Sequence, residues 1–446
     1  MLKLGCIADE FSAAMDLAHN LVLAGMRVVL ARSVPQAPLE VAFADADAVV
    51  IAMGTRHTAP PEAVMRALSA LVWLKAEGAA QIYFAFSPTF DSRFRGDPPG
   101  NIGPVIDALM EALNTEFTVV APAFPDQQCT VYKGYLFVAE ALLSECGMQN
   151  HPLTPMTDAN LLRVLRPQTR HRIGRIDHAQ VSESNVAVQE RLAELRLQGV
   201  QIALADTTTS DDLIRLAIGL RSLPLVAGSA GLGLALPQNF GIVPDETVSA
   251  LPHPGGFSAV ICGSTSDRSA RQIEKFHARG FPAMAIDPLK VAKFGPTRVA
   301  QAAIAWAAPQ LKKGPVLLYS TANAQSLQAV QSLLGVEDSA RMVGQCLSEI
   351  ALGLVQSDVR RLIIAGTQTA QSCMKVMGVT QLWLGSQHET GIAWAFSTGT
   401  VTPTSMVDTG AKRATTRDTP GGIHICLKPG SAGSDECFVR AFEALV

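Results

Sequence analysis

Short apolar runs recur along this chain between segments of helical period, the pattern of a sheet with helices packed on its faces. Lys3 to Ala8, Arg27 to Ala31, Ala48 to Ala52, Gln81 to Phe86 and Phe117 to Ala121 read as strands. Ser12 to Leu23 and Pro61 to Lys75, lying between them, carry helical spacing; Ser12 is placed to cap the first of these helices and Gly25 to stop it. Strand, helix, strand is the opening of a parallel sheet. The logic repeats with Gln201 to Ala205, Asp211 to Leu220 and Pro224 to Val226.

The pattern breaks between Pro237 and Gly256, where prolines, glycines and isolated polar residues collect. It restarts with strands at Ser258 to Cys262, Val316 to Tyr319, Leu362 to Ala365 and Ile423 to Leu427, and a long helical stretch at Glu337 to Val355. The expectation is therefore α/β with two domains, each a largely parallel sheet flanked by helices, and a ligand cleft between them. Residues 1–245 would form the first domain, 246–256 the linker and 257–446 the second. Residues 397–422, rich in Thr, Gly and Pro, read as a long loop or hairpin excursion.

Composition narrows the partners. At 446 residues the chain exceeds what one core usually serves, and 48% hydrophobic with 17% charged residues is a globular balance. A net charge of -3 gives no basic footprint for nucleic acid and no polybasic membrane patch. No apolar run approaches the roughly 18 residues of a membrane span, and the start of the chain lacks the features of a secretory signal, so a cytoplasmic location is expected. Cys6, Cys129, Cys146, Cys262, Cys346, Cys373, Cys426 and Cys437 show no zinc spacing and read mostly as reduced core residues, leaving no expected protein metal site. A small molecule is the expected partner, with a homodimer the base-rate assembly.

In a doubly wound sheet, ligands bind beyond the carboxyl ends of the strands. Four such places carry chemistry. Asp9-Glu10-Phe11-Ser12 sets two carboxylates at the first strand exit, suited to hydroxyl contact, a general base or magnesium, and equally to helix capping. The loop from Ser87 through Thr89, Asp91, Ser92, Arg93 and Arg95 to Asn101 gathers hydroxyls, a carboxylate and arginines, as a polyhydroxylated anion would require. Gly263-Ser264-Thr265-Ser266 and Gly366-Thr367-Gln368-Thr369 each lie where a strand turns into a helix, exposing backbone N–H groups to a phosphate or simply capping a helix. A P-loop, a dinucleotide fingerprint and a nucleophile elbow are all absent, which weakens an oxidoreductase or serine hydrolase reading. His57, His151 and His388 are dispersed and read as surface or polar-core residues.

The run Ile7-Ala8-Asp9-Glu10-Phe11-Ser12-Ala13-Ala14-Met15-Asp16 resembles the opening of the four-carbon acid sugar kinases. Thr89-Phe90-Asp91-Ser92, Gly100-Asn101-Ile102-Gly103-Pro104-Val105, Ala121-Pro122-Ala123-Phe124-Pro125, Thr130-Val131-Tyr132 and His151-Pro152-Leu153-Thr154-Pro155-Met156-Thr157-Asp158 follow in order and resemble its 3-oxo-tetronate kinase branch. The resemblance implies an ATP- and Mg²⁺-dependent kinase acting on a sugar acid such as a 3-oxo-tetronate, threonate or erythronate. It places Asp9 and Asp91 as candidates for the base, with Glu10, Asp16, Arg56, Ser92 and Asn101 on the substrate side. Ser264, Gly366, Thr367, Gln368, Thr369 and Gly430 fall on the nucleotide side. The sequence departs from the pattern at Glu10 for Asp, Ala13 for Gly, Ala85 for a Lys, Cys129 for an Arg and Gln368 for a Glu. The competing class is a relative that binds a sugar acid or nucleotide without transferring phosphate.

Overall fold

Runs such as Leu4–Ala8 and Ala48–Ala52 are buried at every position, which only strands covered on both faces allow. A computed structural model describes residues 2–40, 43–91, 100–151, 153–320, 335–389, 391–398 and 422–445. These fall into two compact units, Met1–Ser249 and Ala250–Val446.

The first unit holds β1 (Leu4–Ala8), β2 (Val28–Ala31), β3 (Ala48–Ala52), β4 (Gln81–Ala85) and β5 (Thr118–Ala121). The short strands β6 (Cys129–Tyr132), β7 (Tyr135–Val138) and β8 (Ala141–Leu142) follow, then β9 (Ile173–Ile176), β10 (Ile202–Ala205) and β11 (Leu225–Gly228). The main sheet is parallel in the order β2-β3-β1-β4-β11-β5-β10-β9, with β1 centred by Ile7 pairing Ile51 on one side and Phe84 on the other. β6, β7 and β8 form a separate antiparallel meander. Its turn is pinned by Asp206 at the exit of β10, whose carboxylate accepts from the N–H groups of Lys133 and Gly134, both at 2.8 Å.

Helix α1 (Phe11–Leu23) packs on β2 and β3, while α2 (Pro60–Ala76) lies beside α3 (Ile102–Ala112). Ser12 does not cap α1. The helix begins one residue earlier, Glu10 takes the extended cap conformation, and the Ser12 hydroxyl instead donates to Glu10 Oε1 at 3.0 Å. Gly25, at φ +95°, closes the helix where any Cβ would strike the Val243 carbonyl. The helix Ser210–Gly219 carries a complete capping box between Thr209 and Asp212.

The second unit holds β12 (Phe257–Cys262), β13 (Ala283–Ala285), β14 (Val316–Tyr319), β15 (Val359–Ala365), β16 (Gln381–Glu389), β17 (Ile392–Ser397) and β18 (Ile423–Lys428). Strands β13-β14-β12-β15-β18 are parallel, and β17 and β16 continue the sheet antiparallel. The sheet is mixed at this end because β16 and β17 form a hairpin, which needs no crossover helix. Val260, Phe276, Leu317, Ile363, Trp394 and Phe438 centre its core. All eight cysteines are free thiols, and Cys146 alone is not fully buried. Residues 399–421, most of the predicted excursion, lie outside the described residues.

Candidate active site

Strand order reverses around β1: the chain leaves it through α1 towards β2, then returns past β3 to lay β4 on its other flank. Such a switch point leaves room for a ligand beyond the carboxyl ends of the strands. The three exits are stitched together there. Asp9 N–H donates to the Ala85 carbonyl at 2.9 Å, and the Asp9 carbonyl accepts from the N–H groups of Thr55 at 2.6 Å and Arg56 at 3.2 Å.

That stitching delivers Arg56 between two carboxylates from neighbouring strand exits. Its Nη1 donates to Glu10, and its Nη2 donates to Asp91 and, at 2.9 Å, to Ser87 Oγ. Thr89 Oγ1 donates to Asp91 Oδ1 at 2.8 Å. Phe90 takes a left-handed φ of +54°, which costs a residue with a Cβ roughly 1–2 kcal/mol, and its buried ring meets Phe86 edge-on at 5.2 Å. This packing aims the next residue, Asp91, back at Arg56.

Burial opposes the Asp91 charge, but Arg56 and the hydroxyls of Ser87 and Thr89 prevail and hold its carboxyl below the usual range. Asp16 behaves oppositely. Half-buried on α1, it is pushed up to about 6 by desolvation and by Glu10, against a hydrogen bond from Gln127 at 3.2 Å. The structure thus gathers Asp9, Glu10, Arg56 and Asp91, couples Asp16 to them by charge, and gives Asn101 a supporting task. Its Nδ2 donates to the Thr55 and Thr58 carbonyls at 2.8 and 3.1 Å, bracing the Arg56 loop. Ser92, Arg93 and Arg95 lie outside the described residues.

In the second unit, the exits of β12, β15 and β18 also meet. Gly263 N–H donates to the Ala365 carbonyl at 3.0 Å and Gly366 N–H to that of Lys428 at 2.9 Å. The turns touch so closely that a Cβ on Gly430 would sit 2.5 Å from Ser264 Oγ, and one on Gly263 would sit 2.1 Å from Thr369 Oγ1. Gly366, at φ +108°, opens the helix Thr367–Val376, whose first residues Thr367 and Gln368 are exposed. Ser264 caps nothing; the cap of the helix Asp267–Ala278 is Ser266. Ser264, Gly366, Thr369 and Gly430 are thus one cluster beside two helix starts, whose first N–H groups have no partner within the helix.

Sequence reasoning gave no role to Lys428 and passed over Ser269, both beneath these turns. A lysine closing an apolar strand was the available signal.

A family model described as a sugar-binding N-terminal domain matches residues 4–236, and one described as a nucleotide-binding C-terminal domain matches residues 259–438. A curated 3-oxo-tetronate kinase from Pseudomonas fluorescens is 44% identical over 89% of this chain and 91% of that protein. The chain belongs to the four-carbon acid sugar kinase family. A second curated 3-oxo-tetronate kinase, from Cupriavidus necator, is 41% identical over 87% of this chain and 89% of its own. Among solved structures, a Haemophilus influenzae protein with a TM-score of 0.84 and 32% identity covers 99% of this family member, which covers all of it in turn. A Salmonella typhimurium LT2 protein reaches a TM-score of 0.85 at 33% identity, with 99% of each chain covered. Among the described residues no helix is long and apolar enough to cross a membrane.

Proposed function

We propose that this protein transfers the terminal phosphoryl group of ATP to a hydroxyl of a four-carbon sugar acid, with a 3-oxo-tetronate as the substrate named by its relatives. The observation that carries the reading is the Glu10–Arg56–Asp91 bridge at the switch point of the unit matched to a sugar-binding domain. A carboxylate held ionised, as Arg56 holds Asp91, accepts hydrogen bonds from sugar hydroxyls, and phosphoryl transfer asks little more of a protein than positioning and charge stabilisation.

Asp91, kept charged by Arg56, is suited to orienting the acceptor hydroxyl. Asp16, at about 6, is nearer the range in which a general base works, and joins Asp9 and Asp91 as a candidate for that role. In the second unit, Ser264, Gly366 to Thr369 and Gly430 would hold the nucleotide through backbone N–H groups, the close approach at Gly430 leaving the backbone accessible. Mg²⁺ would accompany ATP and offset the charge of the transferring group. The expected assembly is a cytoplasmic homodimer.

The test is ADP release on a panel of 3-oxo-tetronates, threonate and erythronate with ATP and Mg²⁺. Acid-dependent ADP formation is expected. Nucleotide binding with no turnover on any acid would leave only a binding relative, and no binding at all would remove the kinase reading.

A further inference from the structure

Lys428 closes β18 and is 2% exposed, an unusual burial for an ammonium. Its Nζ has three partners: the Pro429 carbonyl at 3.1 Å, the Gly430 carbonyl at 3.0 Å and Ser269 Oγ at 3.3 Å. All three are neutral. Among the described residues no carboxylate pairs with it, and the titratable groups that bear on it are Cys262, Cys426 and Cys437, thiols that burial keeps protonated, together with Arg268.

The direction of the two carbonyls matters. In a trans peptide the N–H points opposite the C=O. Because the 429 and 430 carbonyls turn inward to Nζ, the N–H groups of Gly430 and Ser431 turn away from it. Neither N–H donates to a protein acceptor among the described residues. Ser264 Oγ, from the turn after β12, lies against Gly430, and Phe438 covers the ammonium at 5.6 Å. Burying a charge without a counter-ion is costly, and successive outward amides form an anion-binding concavity.

We propose that Lys428 is a positioning residue for the nucleotide, its buried charge and its hold on the Pro429–Gly430 carbonyls making the Gly430–Ser431 turn a receptor for phosphate oxygens. This rests on the nucleotide reading of the second unit. Lys428 touches no phosphate itself; it acts through the turn and through its uncompensated field, which low-dielectric surroundings screen little.

The test is calorimetric titration of ADP and of adenosine into the full-length protein and into Lys428→Met, with melting temperatures of both without ligand. Methionine keeps the length of the side chain. The turn keeps its other bonds, since the Gly430 carbonyl still accepts from Ser266 and Ser269 at 2.6 and 3.1 Å, and that of Pro429 from Ala432 N–H at 3.1 Å. ADP should bind about tenfold more weakly, adenosine within about twofold of wild type, and the melting temperature should hold or rise. Unchanged ADP affinity, or equal losses for ADP and adenosine with a lower melting temperature, would overturn the proposal and leave Lys428 a scaffold. Should the methionine variant fail to fold, Lys428→Gln, which keeps N–H donors without charge, is judged by the same selective loss of ADP. A wild-type protein that binds neither ligand would instead bring down the nucleotide reading, and this inference with it.

Discussion

Removing the guanidinium of Arg56 while keeping its aliphatic stem, as in Arg56→Met, isolates the electrostatics of the sugar-side cluster. Asp91 is 2% exposed at its side chain, Arg56 19% and Glu10 31%. Without the cation, the Asp91 carboxylate stays buried with, among the described residues, only the Ser87 and Thr89 hydroxyls for company. Breaking a buried pair in this way costs about 3–5 kcal/mol, whereas the more exposed Glu10 contact adds at most about 1 kcal/mol. The loss would approach the whole margin of a weakly stable domain, roughly 5 kcal/mol.

The sign with pH follows from Asp91. In the wild type its lowered carboxyl stabilises the fold above the unfolded value of 3.8, and that contribution is lost as pH falls through the native value. In the variant, burial is no longer opposed, so the carboxyl rises and the buried charge is relieved on acidification. Urea unfolding followed by circular dichroism should therefore show a deficit of about 3–5 kcal/mol near pH 7 that shrinks towards about pH 4.5. Arg56→Met with Asp91→Asn should recover part of it. A deficit under about 1 kcal/mol near neutrality, or one that grows on acidification, would refute the reasoning.

Asp16→Asn should abolish an acidic limb near pH 6 in the kcat/KM profile of the wild type, because only the ionised carboxylate serves as base. The same raised carboxyl disfavours the fold as pH climbs from 3.8 towards 6, so the asparagine variant should melt higher than the wild type above pH 6. Gly366→Ala places a Cβ at φ +108°, 3.4 Å from Ser264 N, and should weaken ATP binding about tenfold by calorimetry with sugar-acid affinity unchanged. Thr209→Ala removes one arm of a capping box and should lower unfolding free energy by about 0.5–2 kcal/mol with kcat unaltered.

Much of the architecture was readable from pattern because strands covered on both faces leave unbroken apolar runs; Ala48–Ala52 and Val316–Tyr319 have the predicted boundaries. Elements that escaped lack that signature. β6 and β7 are half-exposed, and their hairpin turns on Lys133 and Gly134, with φ +52° and +76°, of which only glycine announces such a turn. β9 is interrupted by Gly174 and Arg175.

Asp9 and Asp91 were found by the strand-exit rule, since each follows an apolar strand closely. Arg56 came only through the family resemblance, because nothing local says that a residue after β3 will stand between the exits of β1 and β4; sheet order decides that. Lys428 stood in the family pattern without a role for a related reason. A lysine after an apolar strand reads as a solvated terminus until the elements that bury it are in place.

The thiol inventory has a practical corollary. Cys146, directly after the hydrogen-bonded turn that follows β8, is the one sulfhydryl of the eight that is not buried. A maleimide dye should therefore attach to the unmodified protein at a single position, placing a reporter beside the meander on the sugar-side unit and letting ligand-induced movement there be followed by fluorescence without engineering.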